Sequence, residues 1–189
     1  MPLIGDRTRT TIETILLATD FSKVSQMALR YAKTFGRHFQ SSVKAVHVVG
    51  LAAIGAFPEG DGGRILKIAR QEGESGLLQV NHELRQAGLD ATSVLVEAAN
   101  PGKGILQIAR DIKPDLIVMG TAAAEKLDRF SLGSTAEQVI RHADCPVLTI
   151  GPHVTEPKPG DLAFRKVLYA TDFSPEAAPA ALYALSLAR

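Results

Sequence analysis

A single cysteine, Cys145, is all the sulfhydryl chemistry that the 189 residues offer. No intrachain disulfide can form, and no cluster of thiolates is available for zinc. Next to Pro146 at the head of an apolar run, Cys145 reads as a buried or passive thiol rather than a reactive one. Charge bias is missing too. With 21 basic and 20 acidic side chains the net charge is +1, which gives no electrostatic reason to expect nucleic acid or an anionic membrane as partner. No apolar run approaches the ~18 residues of a membrane helix. The opening MPLIGDRTRTTIET lacks the apolar core of about 7–15 residues that marks a secretory signal, so the expected location is the cytoplasm. The five histidines, His38, His47, His82, His142 and His153, show no ligand spacing, and no metal site is expected.

What is present is the alternation of an α/β protein. Hydrophobic residues make up 46% of the chain, and its length allows one domain, or one domain plus a fragment, at about 100–200 residues per domain. Strands are expected at 15–19 (ILLAT), 43–49, 91–96, 115–120 (DLIVMG) and 146–150 (PVLTI). Several are apolar at consecutive positions, the pattern of parallel strands covered on both faces. Helices are expected from a Ser22 cap to about His38, over Gly63–Ala87, from an Asn100 cap with Pro101 at the first helical position to before Pro114, and over Ser134–Ala143. Gly73 and Gly76 weaken the second of these by about 1 kcal/mol each relative to alanine. The order is βαβαβαβαβ. It implies an open, doubly wound, five-stranded parallel sheet with strand order 3-2-1-4-5 and helices on both faces.

Residues 151–163, GPHVTEPKPGDLA, hold three prolines and two glycines and read as a linker. The chain then begins again. A shift of 152 aligns Leu16, Ala18, Thr19, Asp20, Phe21 and Ser22 with Leu168, Ala170, Thr171, Asp172, Phe173 and Ser174. Ala28, Tyr31, Ala32 and Arg37 match Ala180, Tyr183, Ala184 and Arg189. Residues 1–151 are therefore expected as one complete domain, 152–163 as linker, and 164–189 as the first strand and helix of an incomplete second copy. Such a pair cannot bury its own apolar face. Pro179 should kink the second helix or delay its start.

Ligands of an open parallel sheet sit outside the carboxyl ends of its strands, where the winding reverses. Asp20 follows the first strand there. The run from Gly120 to Thr135, GTAAAEKLDRFSLGST, follows the fourth and leads straight into a helix. Gly133, Ser134 and Thr135 put hydroxyls and free N–H groups at that helix start, a setting for phosphate, with Lys126 and Arg129 in the same loop. A purely structural reading competes: Ser134 to Glu137, S-T-A-E, has the spacing of a capping box. Asp20 equally suits an Asx turn that binds only its own loop. NPGKG at 100–104 lacks the GK[ST] ending of a phosphate loop and reads as a capped helix start. The segment 50–63 is long for a βα loop, either a cover for the pocket or a variable surface loop.

ATDFS at the first strand end, VHVV, DLIVMGT, the spacing G-x2-A-x9-G-S from Gly120 to Ser134, and HADCPVLTIGP together resemble the universal stress protein family. The resemblance covers about residues 12–151 and the start of a second domain at 164–189. It implies an adenine nucleotide α-hydrolase-like sandwich, dimeric through the strand 146–150, that binds ATP or ADP with or without Mg2+. On the family pattern G-x2-G-x9-G-S/T, Gly120, Gly133, Ser134 and Thr135 would hold ribose and phosphates, Asp20 and Val48 would meet adenine, and Met119 would line its pocket. The second glycine of the pattern is here Ala123. If that position requires a positive φ, alanine costs about 1 kcal/mol or more.

Two functions stay open on these residues. One is an ATP- or ADP-binding module of stress response or signalling, at most a slow hydrolase, because no general base, Walker B carboxylate or arginine finger is identifiable. The other is a nucleotide-free dimerisation and interaction domain, associating through 146–150 or a swapped C-terminal segment. A nucleotidylyltransferase or a phosphoacceptor is rejected: there is no HxGH motif, and Asp20 stands alone at the first strand.

Overall fold

The computed structural model describes residues 11–55, 61–121, 132–157, 164, 166–175 and 177–188. Five strands, β1 (Thr14–Ala18), β2 (Ser42–Gly50), β3 (Ala91–Ala98), β4 (Leu116–Gly120) and β5 (Val147–Ile150), form one sheet. All pairings are parallel, in the order β3-β2-β1-β4-β5. The expected strand order is borne out. The winding reverses between β1 and β4, which pair from Ile15 with Leu116 to Ala18 with Met119.

β1 shows why consecutive apolar residues were needed. Ile15 and Leu17 face one core, beside Ala28, Leu29, Ala32 and Phe35 of helix α1 (Lys23–Phe39) and Leu77, Val80 and Leu84 of α3 (Gly62–Gln86). Leu16 and Ala18 face the other, beside Ile105 and Leu106 of α4 (Pro101–Ile112) and Ala136 and Val139 of α5 (Ser134–His142). Because Ile15, Leu16 and Leu17 are all fully buried, truncating any one to alanine would cost about 2–5 kcal/mol.

Helix starts follow local chemistry. The Ser22 side chain accepts from the Ser25 amide, and Asn100 accepts from the Lys103 amide, with Pro101 in the first turn. The long connection after β2 contains a short helix, α2 (Leu51–Ile54), that periodicity did not reveal. Gly73 and Gly76 lie inside α3 despite their unfavourable propensity. A Cβ on Gly73 would fall 2.4 Å from Leu95 Cδ1, and one on Gly76 2.5 Å from Phe21 Cζ. Close approach, which only glycine permits, explains both.

The second copy departs from its expected form. Residues 166–173 form no strand, because a strand needs a neighbour to take its backbone hydrogen bonds. Its helix, α6 (Ala178–Leu187), starts late, with Pro179 in the first turn, where the missing N–H is harmless. Leu187 of α6 and Phe164 pack against the α1 side of the sheet, Phe164 lying 6.2 Å from Phe35 between ring centroids. The linker before them is held by Tyr31, whose hydroxyl donates to the Thr155 carbonyl at 3.0 Å, and by an Arg30–Glu156 ion pair.

Candidate functional site

At the carboxyl edge of the sheet, over the β1/β4 reversal, lies a cavity of about 250 Å3, near the small end of small-molecule clefts at about 300–1,000 Å3. Ala18, Thr19 and Asp20 come to it from β1, Val46, His47 and Val48 from β2, and Met119 and Gly120 from β4. Pro101 and Ile105 of α4, Ser25 of α1, Gly133 at the α5 cap and Ser134 to Ala136 of α5 close the rest. Asp20, Val48, Met119, Gly120, Gly133, Ser134 and Thr135 thus share one cavity although up to 115 positions separate them, from Asp20 to Thr135. Ala123, Lys126 and Arg129 lie outside the described residues.

Each side is shaped by a backbone requirement. Gly133 stands at the α5 cap with φ 76°, a conformation that costs other L-residues about 1–2 kcal/mol. It lets the helix begin at Ser134, one position earlier than a capping box would. The capping-box reading is therefore corrected. Ser134 is the first helical residue, the Glu137 amide donates to the Gly133 carbonyl at 3.0 Å, and the Glu137 carboxylate pairs with Arg141 at 2.9 Å. Gly120 allows α1 to cross the end of β4, since a Cβ there would sit 3.0 Å from the Ser25 nitrogen. Gly104 brings α4 onto β2, where a Cβ would lie 2.6 Å from Val48 Cγ1.

Asp20 is the acid of the cavity. Its Oδ1 accepts from the Ser22 amide at 3.0 Å, so the Asx turn is present. Desolvation pushes its carboxyl upward, but hydrogen bonds from the Ser22 and Ser25 hydroxyls and the Ser22 amide outweigh this and leave it below the ordinary 3.8. It stays ionised at neutral pH and acts as an acceptor. The N-termini of α1, α4 and α5 all open on this same edge, at Ser25, Pro101 and Ser134. Three helix dipoles favour an anion there, each by about 0.3–1 kcal/mol.

Sequence reasoning missed Pro101, Ile105 and His47 as cavity residues. Pro101 carried a signal, because a capped helix start after β3 must lie at this same edge. Elsewhere, Cys145 is half-buried, its thiol pushed up by burial and by Asp115 and Asp144. Among the described residues no group of three or more His, Cys, Asp or Glu is placed to hold a metal ion, and no helix is long and apolar enough to cross a membrane.

Comparison with known proteins converges on one group. The sequence profile of the universal stress protein family matches residues 11–151. The universal stress protein MJ0531 of Methanocaldococcus jannaschii is 35% identical over 137 residues, covering 72% of this chain and 80% of that protein. The solved structure of MJ0577, also of Methanocaldococcus jannaschii, superposes with a TM-score of 0.69 at 27% identity, covering 77% of this chain and all of that one. A universal stress protein from Archaeoglobus fulgidus, solved in complex with dAMP, shares the fold with a TM-score of 0.52 at 24% identity, over 74% of this chain and 97% of its own.

Proposed function

The chain belongs to the universal stress protein family, and we propose that its cavity binds an adenine nucleotide, ATP or ADP, as a module of stress response or signalling. The observation that carries this reading is the pairing of chemistries across one cleft. A single ionised carboxylate, Asp20, sits on one side and the start of α5, entered through the positive-φ Gly133, on the other. Asp20 can accept from an exocyclic amine or a ribose hydroxyl. The N–H groups at Ser134 and Thr135 can donate to phosphate oxygens. Between them, the apolar side chains of Val48, Ile105 and Met119 give a face for a flat base. The dAMP held by the Archaeoglobus fulgidus protein is a ligand of this type on a shared fold. In this reading Gly120, Gly133, Ser134 and Thr135 hold ribose and phosphates, and Asp20, Val48 and Met119 surround adenine. Ala123, the alanine in the G-x2-A-x9-G-S spacing, lies outside the described residues. Mg2+ would enter with the phosphates. The setting we infer is the cytoplasm.

Calorimetric titration of ATP and ADP into nucleotide-free protein, with Gly133→Val as control, tests this directly. Micromolar binding that the valine abolishes is the expected result. No heat and no thermal stabilisation at millimolar nucleotide would discard the reading.

An interaction role is favoured separately by β5. Among the described residues its only sheet partner is β4, and Val147, Leu148 and Thr149 are only partly buried. We place a homodimer contact on this strand, beside the apolar niche where Tyr183 and Leu187 of α6 meet Leu148. Sedimentation of the full chain and of Leu148→Glu checks it: a dimer converted to monomer is expected, and identical masses would remove the contact.

A further inference from the structure

One side chain bordering the cavity is absorbed by none of the roles above. His47 turns its ring toward α3, and its Nδ1 lies 2.8 Å from the carbonyl oxygen of Thr19. A carbonyl can only accept, so Nδ1 carries the proton and the tautomer is fixed. The same ring lies against Phe21, with centroids 4.5 Å apart. Thr19 and Phe21 are the two residues that flank Asp20. His47 therefore grips the chain immediately before and immediately after the acid of the cavity.

The two interior glycines of α3 complete this arrangement. A Cβ on Gly73 would come 2.9 Å from His47 Cδ2, and one on Gly76 2.5 Å from Phe21 Cζ. One helix, through glycines three residues apart, seats both rings. We propose that His47 is a positioning residue for the nucleotide site, which together with Phe21, Gly73 and Gly76 sets where Asp20 stands over the cavity. This rests on the nucleotide reading of that cavity.

The second copy supplies an internal control. Asp172 and Phe173 repeat the turn with Phe173 at φ 62° and the Asp172 to Ser174 amide bond at 2.9 Å, yet Phe173 is 91% exposed. The shape of the turn is thus local. What the first copy adds is a fixed location against β2 and α3.

The test uses the full chain. ADP titrations of wild type, His47→Phe (ring kept, donor lost), His47→Asn (donor kept near the position of Nδ1, ring lost) and Gly76→Ala are compared with Leu89→Ala, a core change at the far end of the sheet. Roughly tenfold weaker binding is expected in the His47→Phe and Gly76→Ala proteins, a smaller loss in His47→Asn, and none in Leu89→Ala at matched loss of thermal stability, tenfold being 1.4 kcal/mol. Wild-type affinity in His47→Phe and Gly76→Ala overturns the proposal. Imidazole 15N shifts of nucleotide-free protein give the ligand-independent arm. An Nδ1–H tautomer of His47 is expected, and an Nε2–H tautomer overturns the clamp. Should wild type bind no ADP, the nucleotide reading fails and the tautomer alone decides whether the clamp exists.

Discussion

Phe21 and Phe173 stand 152 positions apart in the same left-handed backbone conformation, φ 63° and 62°, but Phe21 is packed against α3 and His47 while Phe173 is bare. A bulky residue rarely adopts this conformation. Here both are held by the same two bonds. The threonine two residues earlier accepts from the phenylalanine amide (3.1 and 2.9 Å), and the aspartate accepts from the following serine amide (3.0 and 2.9 Å). Repetition in sequence has produced repetition in local structure without repetition of packing.

The two phenylalanines should therefore respond differently to truncation. Phe21→Ala is expected to lower unfolding free energy by about 2 kcal/mol, below the 3–5 of a fully buried ring. Phe173→Ser should leave it within about 0.5 kcal/mol, as exposed substitutions do. Urea denaturation of both variants checks the contrast. Equal losses would mean that the second copy is packed in solution.

Asp20 should contribute to acid sensitivity. Its carboxyl is lowered in the folded chain by the serine bonds that outweigh desolvation. A lowered folded value means that the stabilisation is present above the ordinary 3.8 and is lost as pH falls through the folded value. Thermal melts of wild type and Asp20→Ala should differ at neutral pH and converge as the pH drops below that range. A difference that widens toward acid would reverse the sign and remove these bonds as its cause.

Asp115 ties the start of β4 to the start of β1. One oxygen, Oδ2, accepts from the amides of Glu13 and Thr14 at 2.8 and 2.9 Å. Hydrogen bonds to a charged group are worth about 1.5–3 kcal/mol, so Asp115→Ala should destabilise by an amount in that range. Asp115→Asn, which keeps a neutral acceptor, should recover part of it. Chemical denaturation measures both, and an Asp115→Ala protein of wild-type stability would show that water replaces the carboxylate there.

The sheet order, both core faces and most helix ends were legible because they rest on local rules: apolar runs for β1 and β4, caps at Ser22 and Asn100, a proline at 101. Misreadings arose where the deciding partner is remote in sequence. Ser134 to Glu137 has the letters of a capping box, but Gly133 takes the cap position and Ser134 is the first helical residue. Residues 166–171 copy a strand sequence but have no strand beside them among the described residues. Gly73 and Gly76 looked like weaknesses of a helix until the rings of His47 and Phe21 were placed against them. Of the cavity, Asp20 and the Gly133 to Thr135 corner were visible as loop chemistry. Ile105 was not, since nothing along a helix period distinguishes a residue facing a cleft from one facing a core.

Two glycine-to-alanine changes should have opposite signs. In a helix interior alanine is favoured over glycine by about 1 kcal/mol. At Gly63, near the start of α3, a Cβ would meet nothing within 4 Å, so the propensity gain stands alone and Gly63→Ala should stabilise by a few tenths up to about 1 kcal/mol. At Gly104 the added Cβ would press to 2.6 and 2.8 Å from the two methyls of Val48 and 3.2 Å from Ala98 Cβ. Overpacking of this kind costs about 1–3 kcal/mol, more than the propensity returns, so Gly104→Ala should destabilise. It should also weaken ADP binding, because Val48 on one side of the clash and Pro101 and Ile105 of α4 on the other all line the cavity. Paired melts and titrations read both effects. A Gly104→Ala protein that is more stable than wild type would show that α4 shifts freely on β2 and that the cleft has no fixed wall on that side.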